Sequence, residues 1–171
     1  MIFETDDVYV AFTQPTDIDE LVGVYNSHRA FIRHHLHRIA VTPDWMAEEI
    51  KATQDAGFWS CKVVEKSTGH VIGVLDVQFG VETYLSLLMI HRSHAHQGIG
   101  QQVYGALEDY ARSHESRGVR IDVATGYDNR VWDFWVRNGF RVAENMTLEW
   151  NGATLLAVAM KKALATTENG R

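Results

Sequence analysis

Nine histidines invite attention first, because imidazole binds metals, carries protons near neutral pH and, when protonated, receives anions. Seven of them fall in two short stretches: His28, His34, His35 and His37 in one, His91, His94 and His96 in the other. No Asp or Glu occurs from residue 27 to 43 or from 83 to 107. A metal site is not expected from either group. His34, His35 and His37 lie too close in sequence to face one point on a regular helix, and neither stretch offers a carboxylate ligand. Arg29, Arg33 and Arg38 accompany the first group and could receive a carboxylate or phosphate of an acceptor substrate. The same residues also read as a solvated basic helix face.

The second group borders the most informative segment, which runs Leu88-Met89-Ile90-His91-Arg92-Ser93-His94-Ala95-His96-Gln97-Gly98-Ile99-Gly100-Gln101. An apolar strand runs into a glycine-bearing loop that opens a helix. The first backbone N–H groups of a helix lack internal partners and lie at its positive end. Glycine lets a phosphate approach them closely, so the segment is a plausible pyrophosphate cradle. Val103 stands where a Gly-x-Gly-x-x-Gly dinucleotide loop needs its third glycine, and no Gly-Lys-Ser/Thr follows.

These residues need a scaffold, and 171 residues with 46% hydrophobic content suffice for one domain with a real core. Lys and Arg total 16 against 22 Asp and Glu, a formal charge of −6 that argues against a nucleic-acid partner. The single cysteine, Cys61, excludes an internal disulfide or a cysteine-based zinc site and is expected to pack in the core. The acidic start at residues 1–7 does not read as a signal peptide, and no apolar run reaches the ~18 residues of a membrane span. A soluble, cytoplasmic protein is expected.

Strand patterns occur at residues 8–12, 58–65 and 71–79, and 84–90 reads as a strand buried on both faces. Thr16 or Asp17 is expected to cap a helix through Leu21, Val22, Val24 and Tyr25, and Thr42-Pro43-Asp44 to open another that ends near Gly57. Residues 28–38 fit a short helix or ordered loop. Ile99, Val103, Leu107 and Ala111 recur at helical spacing; a strand at 119–124, a helix at 129–138 and a hairpin around Asn151-Gly152 complete the order. The expected domain covers residues 1–164, with a loose tail at 165–171.

The run Leu88 to Gly100 resembles the acetyl-CoA loop of the GNAT-type N-acetyltransferases. Asp128-Asn129-Arg130-Val131-Trp132 and Trp135-Val136-Arg137-Asn138-Gly139-Phe140 resemble a further motif of that family, and the element order matches throughout. The resemblance implies an α/β (α+β) fold: a mixed, mostly antiparallel sheet flanked by helices and ending in a hairpin. It implies acetyl-CoA as cosubstrate, held by Leu88, Met89, Ile90, Ala95, His96, Gln97, Gly98, Ile99, Gly100, Gln101, Asn129 and Trp135. The acceptor would be a primary amine of a small molecule or peptide, with Arg29 and Arg33 on the substrate lip; a homodimer is common in the family. Two departures stand out. Ala95 replaces the usual Gln or Arg, and Trp135 replaces a tyrosine that commonly protonates the departing thiolate.

Acetyl transfer needs a base for an ammonium of pKa ~10. A carboxylate on the central strand is a common family solution. Glu82 is the acid near the 84–90 strand, and by alternation it shares a side with Tyr84, Leu88 and Ile90, barring a bulge. Its other reading is a solvated charge at a strand end. Tyr84, Tyr127, His91 and His94 are fallback proton carriers; the tyrosines read first as core or rim packing, and the histidines as solvated loop residues flanking the phosphates. The functional alternatives are a GNAT-like domain that holds acyl-CoA without turnover, and a nucleotide binder of another fold.

Overall fold

The computed structural model describes residues 1–165. Phe3–Glu4 (β1) and Val8–Phe12 (β2) form an edge hairpin, and β1 is a strand the sequence pattern does not announce. Ile18–Asn26 (α1), the single turn Arg29–Phe31 (α2) and Pro43–Asp55 (α3) follow. Trp59–Glu65 (β3), Val71–Gln78 (β4) and Glu82–Ile90 (β5) form an antiparallel meander. Ile99–Ser113 (α4) crosses over to Gly118–Ala124 (β6), which lies parallel to β5. Asn129–Arg137 (α5) precedes the final hairpin of Arg141–Trp150 (β7) and Ala153–Ala163 (β8). Among the described residues the sheet has eight strands in the order β1-β2-β3-β4-β5-β6-β8-β7, and β5/β6 is its one parallel pair. From residue 166 on, the expected tail lies outside the described residues.

Local chemistry explains most boundaries. The Thr42 hydroxyl accepts from the Trp45 N–H at 3.3 Å, and Pro43 supplies the preset φ of a first helical residue. Asn151 and Gly152 have φ of 50° and 78°, the left-handed pair that a two-residue hairpin turn demands. Asp17 does not cap α1. It turns back to accept from the Gln14 N–H at 2.7 Å and pairs with Lys62 at 2.8 Å, so a short 3-10 turn, Pro15–Asp17, leads into the helix. Residues 28–38 fold as α2 followed by a π turn at Ile32–Leu36, which ends at His37 with φ 54°.

Two cores lie on opposite faces of the sheet. Val8, Leu75, Val77 and Leu85 pack with Val103, Tyr104 and Leu107 of α4 and Trp135 of α5. Leu21, Val24 and Tyr25 of α1 pack with Trp45 and Met46 of α3, and with Val74 and Met89 from the sheet. The strand buried on both faces is β4, enclosed from Val71 to Val77; in β5, against expectation, Ser86 is exposed and Leu87 and Leu88 are only half-buried. A bulge accounts for Ser86, and the parting of β5 from β6 beyond Tyr84 for Leu87 and Leu88. Asp76 stands opposite Leu87 but Val77 opposite Leu85, which leaves Ser86 as an extra residue and reverses the alternation of β5. No helix among the described residues is long and apolar enough to cross a membrane.

Candidate active site

The parallel strands β5 and β6 pair over three residues only, from Glu82↔Gly118 to Tyr84↔Arg120, and then part. The separation opens a hole in the middle of the sheet. On its other edge β5 stays paired with β4, and the His91 N–H donates to the Ile72 carbonyl at 2.8 Å. Antiparallel alternation therefore turns the backbone of Met89 toward β4 and that of Leu88 and Ile90 into the opening. The Ile90 carbonyl is already engaged there: His28 Nε2 donates to it at 2.6 Å, which fixes the ring as the Nε2–H tautomer. Burial, the largest influence, holds His28 below the usual histidine range.

Beyond Ile90 the chain enters the helix-opening loop. His96 (φ 62°) and Gly98 (φ 78°) are both left-handed. Gly98 is the residue before α4, and no described residue accepts from the N–H groups of Ile99, Gly100 and Gln101 that follow it. Ile99 buries its side chain in the core, so it contributes only backbone to this surface. Ala95, His96, Gln97, Gly98 and Gln101 are exposed. A Cβ on Gly100 would lie 4.0 Å from Ile90 Cγ1 and meet nothing closer, which sets the helix N-terminus beside the opening without any packing demand for glycine.

A cavity of about 610 Å³ occupies the opening and passes through the sheet. Val131 and Trp135 of α5 line it on one face; Glu49 and Thr53 of α3, with Phe31 and His35, line it on the other. Asp76 reaches it from β4. This carboxyl is buried, and its Oδ1 has no hydrogen-bond partner among the described residues. Loss of solvation, reinforced by the Glu49 carboxylate, pushes the Asp76 carboxyl up to about 7. Glu49 is itself raised by burial, and its Oε1 accepts from the Trp150 Nε1–H at 2.7 Å. At the narrow end the Tyr84 hydroxyl donates to Asp122, which Arg120 holds at 3.0 Å. Burial and that carboxylate raise Tyr84 far above the ordinary phenol range.

The expected site residues divide. Tyr84, Leu88, Met89, Ile90 and Trp135 line the cavity, and Trp135 also packs edge-on against Tyr104 at 5.5 Å. Glu82 does not reach it. Its carboxylate pairs with Lys161 at 2.9 Å where β5 still joins β6, about 23 Å along the strand from Met89 at 3.3 Å per residue. The bulge at Ser86 also removes Glu82 from the side shared by Leu88 and Ile90. Asn129 and Arg33 line a shallower groove behind Tyr127, and Arg29 is exposed. Asp128 caps α5 by accepting from the Arg130 N–H at 2.9 Å, which leaves Asn129 as the outward polar residue. Sequence reasoning missed Asp76, Glu49 and Trp150; the lone acid within the apolar run Val71–Gln78 was the available signal for Asp76.

The comparisons agree with this geometry. Residues 24–140 match the Acetyltransferase (GNAT) family. No curated protein sequence matches the chain. Solved structures share the fold. An acetyltransferase from Thermus thermophilus superposes with TM-score 0.69 at 20% identity, covering 92% of this chain and 97% of that one. The ribosomal-protein-S18-alanine N-acetyltransferase of Escherichia coli gives 0.67 at 14% identity, covering 96% and 99%. The PaiA N-acetyltransferase of Thermoplasma acidophilum, solved with coenzyme A, gives 0.64 at 15% identity, covering 92% and 99%. With a family match over most of its length and the family's fold around a parted strand pair, the chain belongs to the GNAT acetyltransferase family.

Proposed function

We propose that this acyltransferase moves the acetyl group of acetyl-CoA to a primary amine by direct attack, with both substrates bound at once. The observation that carries the reading is the cavity through the sheet. It joins the open edge of β5, beside a helix N-terminus, to a buried carboxylate with an unpartnered oxygen. The residues fit the cosubstrate. Gly98 and Gly100 expose the first N–H groups of α4 to a pyrophosphate. Leu88 and Ile90 turn backbone donors toward the opening, where an extended amide-bearing arm can pair as a further strand would.

Acetyl-CoA, when bound, supplies the acetyl group as a thioester, so that the amine nitrogen forms a C–N bond as the C–S bond breaks. An N–H of the open β5 edge polarises the carbonyl oxygen. Asp76 takes the first proton from the ammonium. With its carboxyl at about 7 it is substantially ionised at neutral pH and still basic enough to accept. Desolvation lowers an ammonium from its usual ~10 and so narrows the gap between the two groups. The departing sulfur takes a proton from a hydroxyl, which the second proton of the nitrogen then restores. Tyr84 is committed to Asp122, so we assign that donation to Tyr127, whose hydroxyl no described residue engages.

The test measures acetyl-CoA binding by calorimetry and amine-dependent thiol release in the same preparation. Binding together with release that yields the N-acetylated amine is the expected result. A second reading, a domain that holds acyl-CoA without turnover, rests on Trp135, because an indole N–H is no acid near neutral pH. Binding with no amine-dependent release would establish that reading instead.

A further inference from the structure

The cavity has a charge pattern opposite to the one the basic lip implies. Its charged lining residues are the carboxylates Glu49, Asp76, Asp122 and Glu149, and no Lys or Arg among the described residues lines it. Asp122 is already held by Arg120 at 3.0 Å. The lining histidines do not compensate: burial lowers His28, and it takes His35 down to about 4, so both are neutral at pH 7. Arg33 lies behind Tyr127 in the neighbouring groove, and Arg29 faces solvent. None of the described lining side chains therefore offers a positive charge to an anion.

The walls around Glu49 and Asp76 are aromatic. Phe31 stacks on His35 at 4.1 Å and meets Trp150 at 5.6 Å and Tyr127 at 6.4 Å, edge to face. The bond from Trp150 Nε1 to Glu49 ties the end of the last hairpin to α3 over the acceptor side. With Phe31 against Trp150, that tie walls the acceptor side of the cavity. The volume of about 610 Å³ must also take the end of the pantetheine arm, which leaves room for an acceptor roughly the size of a ring with a short tail.

We infer that the acceptor is a small primary amine with a flat apolar or aromatic body and no carboxylate, its ammonium held by Glu49 and Asp76. Its hydrocarbon packs among Phe31, His35, Tyr127 and Trp150, whose ring faces also favour a cation. An amino acid would set its own carboxylate against this acidic lining in a low-dielectric space, where like charges repel strongly. The inference rests on the acetyltransferase reading, and the experiment separates the two.

The protein is assayed with acetyl-CoA and 2-phenylethylamine, phenylalanine or a phenylalanine-initiated tripeptide, while acetyl-CoA binding is measured independently. The expected kcat/KM for 2-phenylethylamine exceeds that for phenylalanine at least 100-fold, and the tripeptide is inert. Glu49→Gln, whose amide oxygen can still accept from Trp150, is expected to raise the KM for 2-phenylethylamine at least 10-fold and leave acetyl-CoA affinity unchanged. Comparable or better turnover of phenylalanine or the tripeptide overturns the substrate class, as does acetyl-CoA binding with none of the three acetylated. An unchanged KM in Glu49→Gln overturns the role of Glu49. Failure to bind acetyl-CoA overturns the reading beneath.

Discussion

Asp76 shows how one buried charge trades stability for chemistry. Its neighbours on β4 are Leu75 and Val77, both fully enclosed, so the carboxyl has lost water without gaining an ionic partner. Its pKa is about 7 in the fold, against ~3.9 in an unfolded chain. Between those values the folded chain holds a proton that the unfolded chain has released. The group's contribution to stability is thus present at low pH and is lost as pH rises through about 7. Asp76→Asn keeps the shape and removes the charge. It is expected to raise Tm, by more at pH 8 than at pH 5; a lower Tm at pH 8 would mean that the carboxylate is paired. Glu82 is the control. Exposed and held by Lys161 at 2.9 Å, it is expected to tolerate Glu82→Gln with less than a twofold change in kcat/KM and an unaltered pH–rate profile.

At the scale of elements, the loop into α4 separates two uses of glycine. Gly98 needs its φ of 78°, so Gly98→Ala is expected to cost about 1–2 kcal/mol of stability in thermal or urea unfolding. Gly100 has ordinary helical geometry and open space, so Gly100→Val should leave stability nearly unchanged while weakening CoA binding at least 10-fold by calorimetry. Undiminished affinity in Gly100→Val would remove the helix N-terminus from the cosubstrate site. These features are legible in sequence because they are local. Strand and helix periodicity, the Thr42 cap and the Asn151-Gly152 turn each lie within a few residues of chain. The bulge at Ser86 is not, since it appears only as a register difference between β4 and β5. The apolar run therefore reads as a strand buried on both faces, and unbroken alternation puts Glu82 beside Leu88. The pairing of Glu49 with Trp150 is equally hidden in the sequence, because the two meet across 101 residues of chain. Only folding turns a helix-face acid and a hairpin tryptophan into a joined wall.

Over the whole molecule, the sheet separates two routes of approach. The α4 and α5 face carries the free helix N-terminus, the α1 and α3 face carries the carboxylates and aromatic rings, and the parted strands connect them. The net charge of −6 says little about either ligand, since an acid-free loop and an acidic cavity adjoin the same strand. Under the direct-transfer proposal both substrates are bound before the chemical step. Initial-rate plots are expected to intersect, with CoA competitive against acetyl-CoA; parallel lines would indicate an acetylated enzyme and contradict direct transfer. The central claim is that this cavity brings an amine to the open edge of β5 under the control of Asp76. Its most direct test is the pH dependence of kcat/KM for an acetylated amine in wild type and Asp76→Asn, with acetyl-CoA affinity measured alongside. The expected wild-type profile rises with an inflection near 7, and the variant loses at least 100-fold, as removal of a general base does, while binding acetyl-CoA normally. A variant that keeps the wild-type rate and profile would contradict the account.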